Sequence, residues 1–199
     1  MSWRDELQAF IRREALPIEK YGHQPRLYAL TQEIGASLIY EDDVVFAAAW
    51  LHDLGVFTGH RPEDPAALAV WDNTSYAIEQ APAILTRIGF PAEKIDAVLE
   101  AIRTHQPHAK PQSMEATILR DADILEQLGA VGILRTVCKV GRDTRFATFT
   151  QALTSLRRSV ETLPAQLRLE KSKRLAAPRV ELLLAFLAAA EREAGGDLH

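Results

Sequence analysis

Val44-Val45-Phe46-Ala47-Ala48-Ala49-Trp50-Leu51-His52-Asp53 is an eight-residue apolar run that ends in an imidazole and a carboxylate. The run is far shorter than the roughly 18–20 apolar residues of a membrane span, so it reads as a helix inside a protein core. A polar pair closing such a run must be hydrogen-bonded, ion-paired or bound to a metal to offset its desolvation. Successive helix residues diverge by about 100°, so His52 and Asp53 can reach one ion only if the helix ends or bends there. Gly55, two residues on, offers that ending.

Helical periodicity continues on both sides of this run. Ser2 and Asp5 have the spacing of an N-cap with an acidic first turn, and Trp3, Leu7 and Phe10 follow on one face. After a break at Gly22–Pro25, Leu27, Leu30, Ile34 and Leu38 recur at steps of three and four. Asp42 can cap the helix that carries the apolar run, and Pro62, Asp64 and Pro65 belong to a loop. A helix from Asn73 or Thr74 turns Ala77, Ala81, Ile84, Leu85 and Ile88 inward, with Pro82 predicting a kink or a later start, and Gly89 ends it. Ile95, Val98, Leu99 and Ile102 form a stripe that runs into His105, and Ser113 opens a helix through Leu128. Two more helices are expected over Phe146–Leu163 and Pro164–Glu193, the second bent or interrupted near Pro178. No window alternates for long enough to make a sheet. The expectation is an all-α protein, a single domain over 1–199 with a core at about 20–135 and a C-terminal helical extension at about 136–195 packed on it.

The 199 residues are 47% hydrophobic and 25% charged, ordinary for a soluble chain with a sizeable core. The first residues, Met1-Ser2-Trp3-Arg4-Asp5-Glu6, lack a basic segment followed by an apolar one, so no secretory signal is read and the cytoplasm is the expected compartment. Cys138 is the one cysteine, which excludes an intrachain disulfide and a multi-cysteine zinc site. A net charge of −4 argues against a protein that coats nucleic acid. Between Lys139 and Arg179, however, ten basic residues face three acidic ones, a local balance of +7. That basic third on an acidic body suits a local anion site, although solvated helix faces carry such charges too.

Three further places share the chemistry of His52-Asp53. His23 stands just before the second predicted helix, His105 lies at the apolar edge of its helix, and Asp121-Ala122-Asp123-Ile124-Leu125 sets carboxylates in a strongly apolar helix. The order His23…His52-Asp53…Asp123, carried on helices, resembles the HD-domain superfamily of metal-dependent phosphohydrolases. Ile102-Arg103-Thr104-His105 is similar to the downstream histidine segment of small HD hydrolases, and Asp121–Glu126 with Leu128-Gly129-Ala130-Val131-Gly132-Ile133 and Arg135 to their closing helix. Leu175-Ala176-Ala177-Pro178-Arg179 and Phe186-Leu187 are similar to the last helix of one bacterial subgroup. The helical wheel favours neither Asp121 nor Asp123; the resemblance selects Asp123 as ligand and leaves Asp121 a structural or histidine-orienting role.

The resemblance implies a mononuclear centre on His23, His52, Asp53 and Asp123 for Mn²⁺, Fe²⁺, Co²⁺, Ni²⁺ or Zn²⁺, with Mg²⁺ able to accompany the substrate. It implies Asp53 as proton acceptor and His105 as a further catalytic group lining the pocket. Lys139, Arg142, Arg145 and Arg179 are the candidate phosphate contacts, since arginine offers forked donors that match phosphate. The implied partner is a small phosphorylated metabolite, a nucleotide by family habit, with homodimer formation left open. One departure bears on catalysis. Many HD enzymes follow the pair with a lysine or glutamate, whereas Leu54-Gly55-Val56-Phe57-Thr58 supplies none and His60 and Arg61 come later. The competing expectation is therefore a metal- or nucleotide-binding regulatory module of weak or no turnover.

Overall fold

The computed structural model describes residues 1–142 and 146–195, with Glu19 described by its backbone alone. Among the described residues there are ten α-helices and no sheet, the one extended pairing being a bridge between Thr58 and Arg61. The fold is all-α, as the periodicity predicts. No helix among the described residues is long and apolar enough to cross a membrane. The chain divides into two compact units, Met1–Ala122 and Asp123–His199.

In the first unit α1 (Trp3–Glu14), α2 (His23–Gly35), α3 (Asp42–Leu51), α4 (Pro65–Ala69), α5 (Asn73–Arg87) and α6 (Ile95–Thr104) are followed by most of α7 (Met114–Glu126). The centre is α3: every residue from Val44 to Leu51 is buried, and α1, α2 and α6 pack on it. An apolar helix covered on several sides needs no polar face, which is why its sequence shows a run and not a stripe. The expected cap of α1 is present in both directions, with the Asp5 N–H donating to Ser2 Oγ at 3.2 Å and the Ser2 N–H to Asp5 Oδ2 at 3.0 Å.

Two local expectations need correction. Asp42 does not cap α3; Glu41 holds that position, and Asp42 is the first helical residue. Pro62–Pro65 is not all loop, because Asp64 Oδ2 accepts from the Ala67 N–H at 2.8 Å and starts the short α4. Pro65 then occupies the first turn, where its missing N–H costs nothing. Helix α5 starts at Asn73, one of the two starts expected, capped by Asp72 through the Thr74 and Ser75 N–H groups, and it contains Pro82 instead of starting after it.

The acidic start of α3 is an electrostatic clasp. Arg4 Nη2 lies 2.8 Å from Asp42 Oδ2 and 2.6 Å from Asp43 Oδ1, while Lys94 Nζ reaches Asp43 Oδ2 at 2.8 Å. Burial works to raise the Asp43 carboxyl, but the hydrogen bonds from Arg4 and Lys94 outweigh it and hold it below its ordinary value. A depressed carboxyl contributes stability above its unfolded value, near 4, and loses it as pH falls through the folded value. Thermal denaturation from pH 6 downward is expected to show Tm falling below about pH 4, more shallowly in Asp43→Asn than in the native chain. Parallel curves would remove Asp43 from the acid response.

The second unit holds the end of α7, then α8 (Gly129–Val137), α9 (Phe149–Thr162) and α10 (Glu170–Ala194), the last three packed on one another. Their shared core includes Ile133, Leu156, Leu163, Leu183 and Leu187. Helix α9 begins three residues later than predicted, with Thr148 Oγ1 accepting from the Gln151 N–H. A 3-10 turn at Pro164–Gln166 delays α10 to Glu170, and α10 then runs through Pro178 as one helix. Gly129 at the head of α8 has φ 71°, and a Cβ there would stand 3.0 Å from Arg179 Cβ and Cγ, so glycine is required by conformation and by contact.

Candidate metal centre

His23 is the first residue of α2, and His52 directly follows the last residue of α3. At Asp53 the backbone leaves the helix, with φ −102° and ψ 15°. That exit solves the angular problem of adjacent residues, since Asp53 need not point 100° away from His52. His23 Nε2 and His52 Nε2 lie 3.3 Å apart, and Asp53 Oδ2 is 3.6 Å from each. Both rings are buried, His23 6% and His52 1% exposed, whereas the Asp53 side chain keeps 21% exposure and so one open side.

The hydrogen bonding of His52 shows what this cluster can hold. His52 Nδ1 lies 3.0 Å from the Ala49 carbonyl, which can only accept, so the ring proton sits on Nδ1. In the neutral ring Nε2 then presents a lone pair toward His23 Nε2 and the Asp53 carboxylate. That lone pair can be met either by a proton on His23 Nε2, 3.3 Å away, or by a cation held between the two rings and the carboxylate. Two ligands each about 2.1 Å from one ion stand about 3.0–3.4 Å apart at right-angle or tetrahedral geometry, close to the separations seen. All three donor atoms lie within 4.8 Å of one another, and the donor set of two imidazoles and a carboxylate fits a borderline divalent metal.

His105 directly follows α6 and is 2% exposed. Its ring centroid is 5.0 Å from that of His52, its Nδ1–H donates to the Ile102 carbonyl at 2.6 Å, and its Nε2 lies 3.2 Å from Gln106 Nε2. The first unit thus brings together His23, His52, Asp53 and His105. Asp121 is fully buried beside Arg120, whose Nη1 is 3.6 Å from Asp121 Oδ1 and whose Nη2 donates to the Pro107 carbonyl. Asp123, half-buried, begins the second unit, and its carboxylate accepts from Gln127 Nε2 at 3.1 Å.

Of the candidate phosphate contacts, Arg179 packs against Gly129, and Lys139 and Arg142 lie in the turn that follows α8. Arg142 is exposed beside Gly141, whose φ is 69°. Arg145 lies outside the described residues.

The supporting groups around the pair escape sequence reasoning. Gly55 does not end the helix by its own conformation; a Cβ there would meet Asn73 Cα and O at 2.8 Å, so its backbone lies directly on the start of α5. Trp71 Nε1 donates to the Gly55 carbonyl at 2.8 Å, and Lys20 Nζ to the Val56 carbonyl at 2.9 Å. Glycine after His-Asp is the only signal the sequence offers for this crowding, and it does not name the neighbour.

Among solved structures the chain is similar in fold to YpgQ from Bacillus subtilis in complex with ADP, at 22% identity over 96% of this chain and 94% of that one, with a TM-score of 0.69. A protein from Lactobacillus plantarum shares 18% identity over 98% of both chains, with a TM-score of 0.74. A Bacillus thuringiensis protein described as an HD-superfamily hydrolase shares 17% over 98% and 97%, with a TM-score of 0.69. Comparison with curated proteins finds no match. Residues 21–128, over half of the chain and spanning His23, His52, Asp53, His105 and Asp123, match the family model for the HD domain, and the chain belongs to that family.

Proposed function

We propose that the chain is a metal-dependent phosphohydrolase that cleaves a small phosphorylated metabolite, with a nucleotide as the first candidate. The observation that carries this reading is the convergence of His23 Nε2, His52 Nε2 and Asp53 Oδ2 at separations of 3.3 and 3.6 Å in a partly open place. His23, His52 and Asp53, joined by Asp123, are the residues that would hold the ion. A divalent ion of the manganese-to-zinc series supplies an acidified water and a polarised phosphoryl oxygen. Asp53, which keeps 21% side-chain exposure, would accept the proton of the attacking water. His105, its Nδ1 held by Ile102, turns a fixed ring toward His52 and lines the same pocket. Asp121, buried with Arg120, supports the helix that carries Asp123. Lys139, Arg142, Arg145 and Arg179 supply the cations for phosphate. The ADP named with YpgQ supports a nucleotide as substrate.

The test is a screen of nucleotides and phosphate esters with Mn²⁺, Co²⁺, Ni²⁺ or Zn²⁺, scored separately for phosphate and pyrophosphate. Metal-dependent release from at least one nucleotide is expected; no release from any compound, with or without metal, overturns the reading. Within it, Arg142→Ala is expected to raise KM roughly tenfold, about 1.4 kcal/mol, with metal content unchanged, since an exposed arginine on a turn binds substrate and not the ion. An unchanged KM returns Arg142 to the solvated surface. A second reading, a binding module without turnover, is favoured by one observation: both ring nitrogens of His60 are engaged, by Tyr76 and Glu14, so that residue does not supply the acid missing after the His-Asp pair. Tight nucleotide binding without product release selects it.

A further inference from the structure

The segment that follows Asp53 is tied down along its whole length. The Val56 N–H donates to the Asp53 carbonyl at 3.0 Å, the Phe57 N–H to Leu54 at 3.3 Å, and the His60 and Arg61 N–H groups both to Phe57 at 3.1 Å. The Thr58 N–H donates to the Leu16 carbonyl at 2.9 Å, beyond the end of α1. At the far end His60 spans two helices. Its Nδ1 is 2.9 Å from the Tyr76 hydroxyl on α5, and its Nε2 is 3.2 Å from Glu14 Oε2 on α1. Burial first, then the negative charges of Glu79 and Glu14, push the Tyr76 phenol up, so it keeps its proton and can donate it to Nδ1. With the ring proton on Nε2, that nitrogen donates to Glu14 and completes the chain. The His60 ring also faces Phe57, which is fully buried, with centroids 6.4 Å apart.

We infer that Glu14, His60 and Tyr76 form a hydrogen-bonded strap that positions Asp53 for metal capture. His60 is a positioning residue: it touches no ligand atom and acts through the eight-residue path back to Asp53. The path matters because Asp53 must hold a non-helical backbone to meet His52 and His23 on one side. Gly55 on Asn73 and Trp71 on the Gly55 carbonyl fix the near end of that path, and His60 fixes the far end. The inference rests on the metal-centre reading above and adds a residue to it.

The test uses the full chain and Mn²⁺ as the probe. His60→Phe keeps a ring against Phe57 and removes both hydrogen bonds; Tyr76→Phe removes one. Mn²⁺ affinity by calorimetry is expected to fall about tenfold in His60→Phe, the scale of residues that orient a ligand, and less in Tyr76→Phe. The double variant is expected to lose no more than His60→Phe alone, because the two substitutions break one chain. Amide hydrogen exchange at Thr58, measured without metal, is expected to quicken at least tenfold in His60→Phe. Native Mn²⁺ affinity in His60→Phe overturns the positioning role while leaving the metal centre standing. Fully additive losses in the double variant, or unchanged Thr58 exchange, overturn the strap. A native chain that takes up no Mn²⁺ overturns the metal centre itself, and the inference with it.

Discussion

Asp53→Ala is expected to abolish turnover and to lower Mn²⁺ affinity by more than about 100-fold, beyond the 10–100-fold typical of residues that only orient a ligand. The substitution removes a carboxylate that lies 3.6 Å from both His23 Nε2 and His52 Nε2. It also removes the proton acceptor proposed for the attacking water. The fold is expected to survive. Asp53 follows α3 and keeps 21% side-chain exposure, while α3 is held by an apolar run that the change does not touch. Far-ultraviolet circular dichroism should therefore match the native spectrum when phosphate release and metal uptake are gone. A folded Asp53→Ala that still hydrolyses its substrate at the native rate would sink the mechanism.

Gly55→Ala is expected to cost about 1–3 kcal/mol of stability, the range for overpacking a closed site, and to weaken metal binding as well. Its Cβ would meet Asn73 Cα and O at 2.8 Å, and both are backbone atoms, so no side-chain rotation relieves the clash. Separating the segment from α5 also stretches the bond from Trp71 Nε1 to the Gly55 carbonyl and frees the backbone two residues from Asp53. In thermal denaturation the loss corresponds to roughly 2–12 °C in Tm for a chain of this size. Gly59→Ala is an instructive contrast. It has φ 92° and nothing within 4 Å of an added Cβ, so its strain is conformational and local to an exposed turn. Equal Mn²⁺ affinity in Gly55→Ala and the native chain would show that the crowding serves stability alone.

The helices were legible because each buries one kind of pattern. The continuous run of α3 announced its central place, and the stripe Ile95, Val98, Leu99, Ile102 announced the buried side of α6. Short caps were less so: α4 is only five residues long, and its sequence reads as a proline-rich loop until Asp64 is seen to cap it. His52-Asp53 stood out as polar groups closing an apolar run. His23 carried no such signal, since nothing local says that a histidine opening α2 will face one 29 positions later; the ordered resemblance supplied it. Gly55, His60 and Tyr76 were opaque for a related reason. Their partners, Asn73, Glu14 and one another, are brought close by α1 and α5, and a hydrogen bond across that distance leaves no periodic trace.

The most direct measurement of the central claim is an anomalous-scattering map, at the manganese edge, from crystals of the full chain grown with Mn²⁺. The account predicts a peak within ligand distance of His23 Nε2, His52 Nε2 and Asp53 Oδ2. A fully occupied Mn²⁺ elsewhere, with no density among those three atoms, would contradict it.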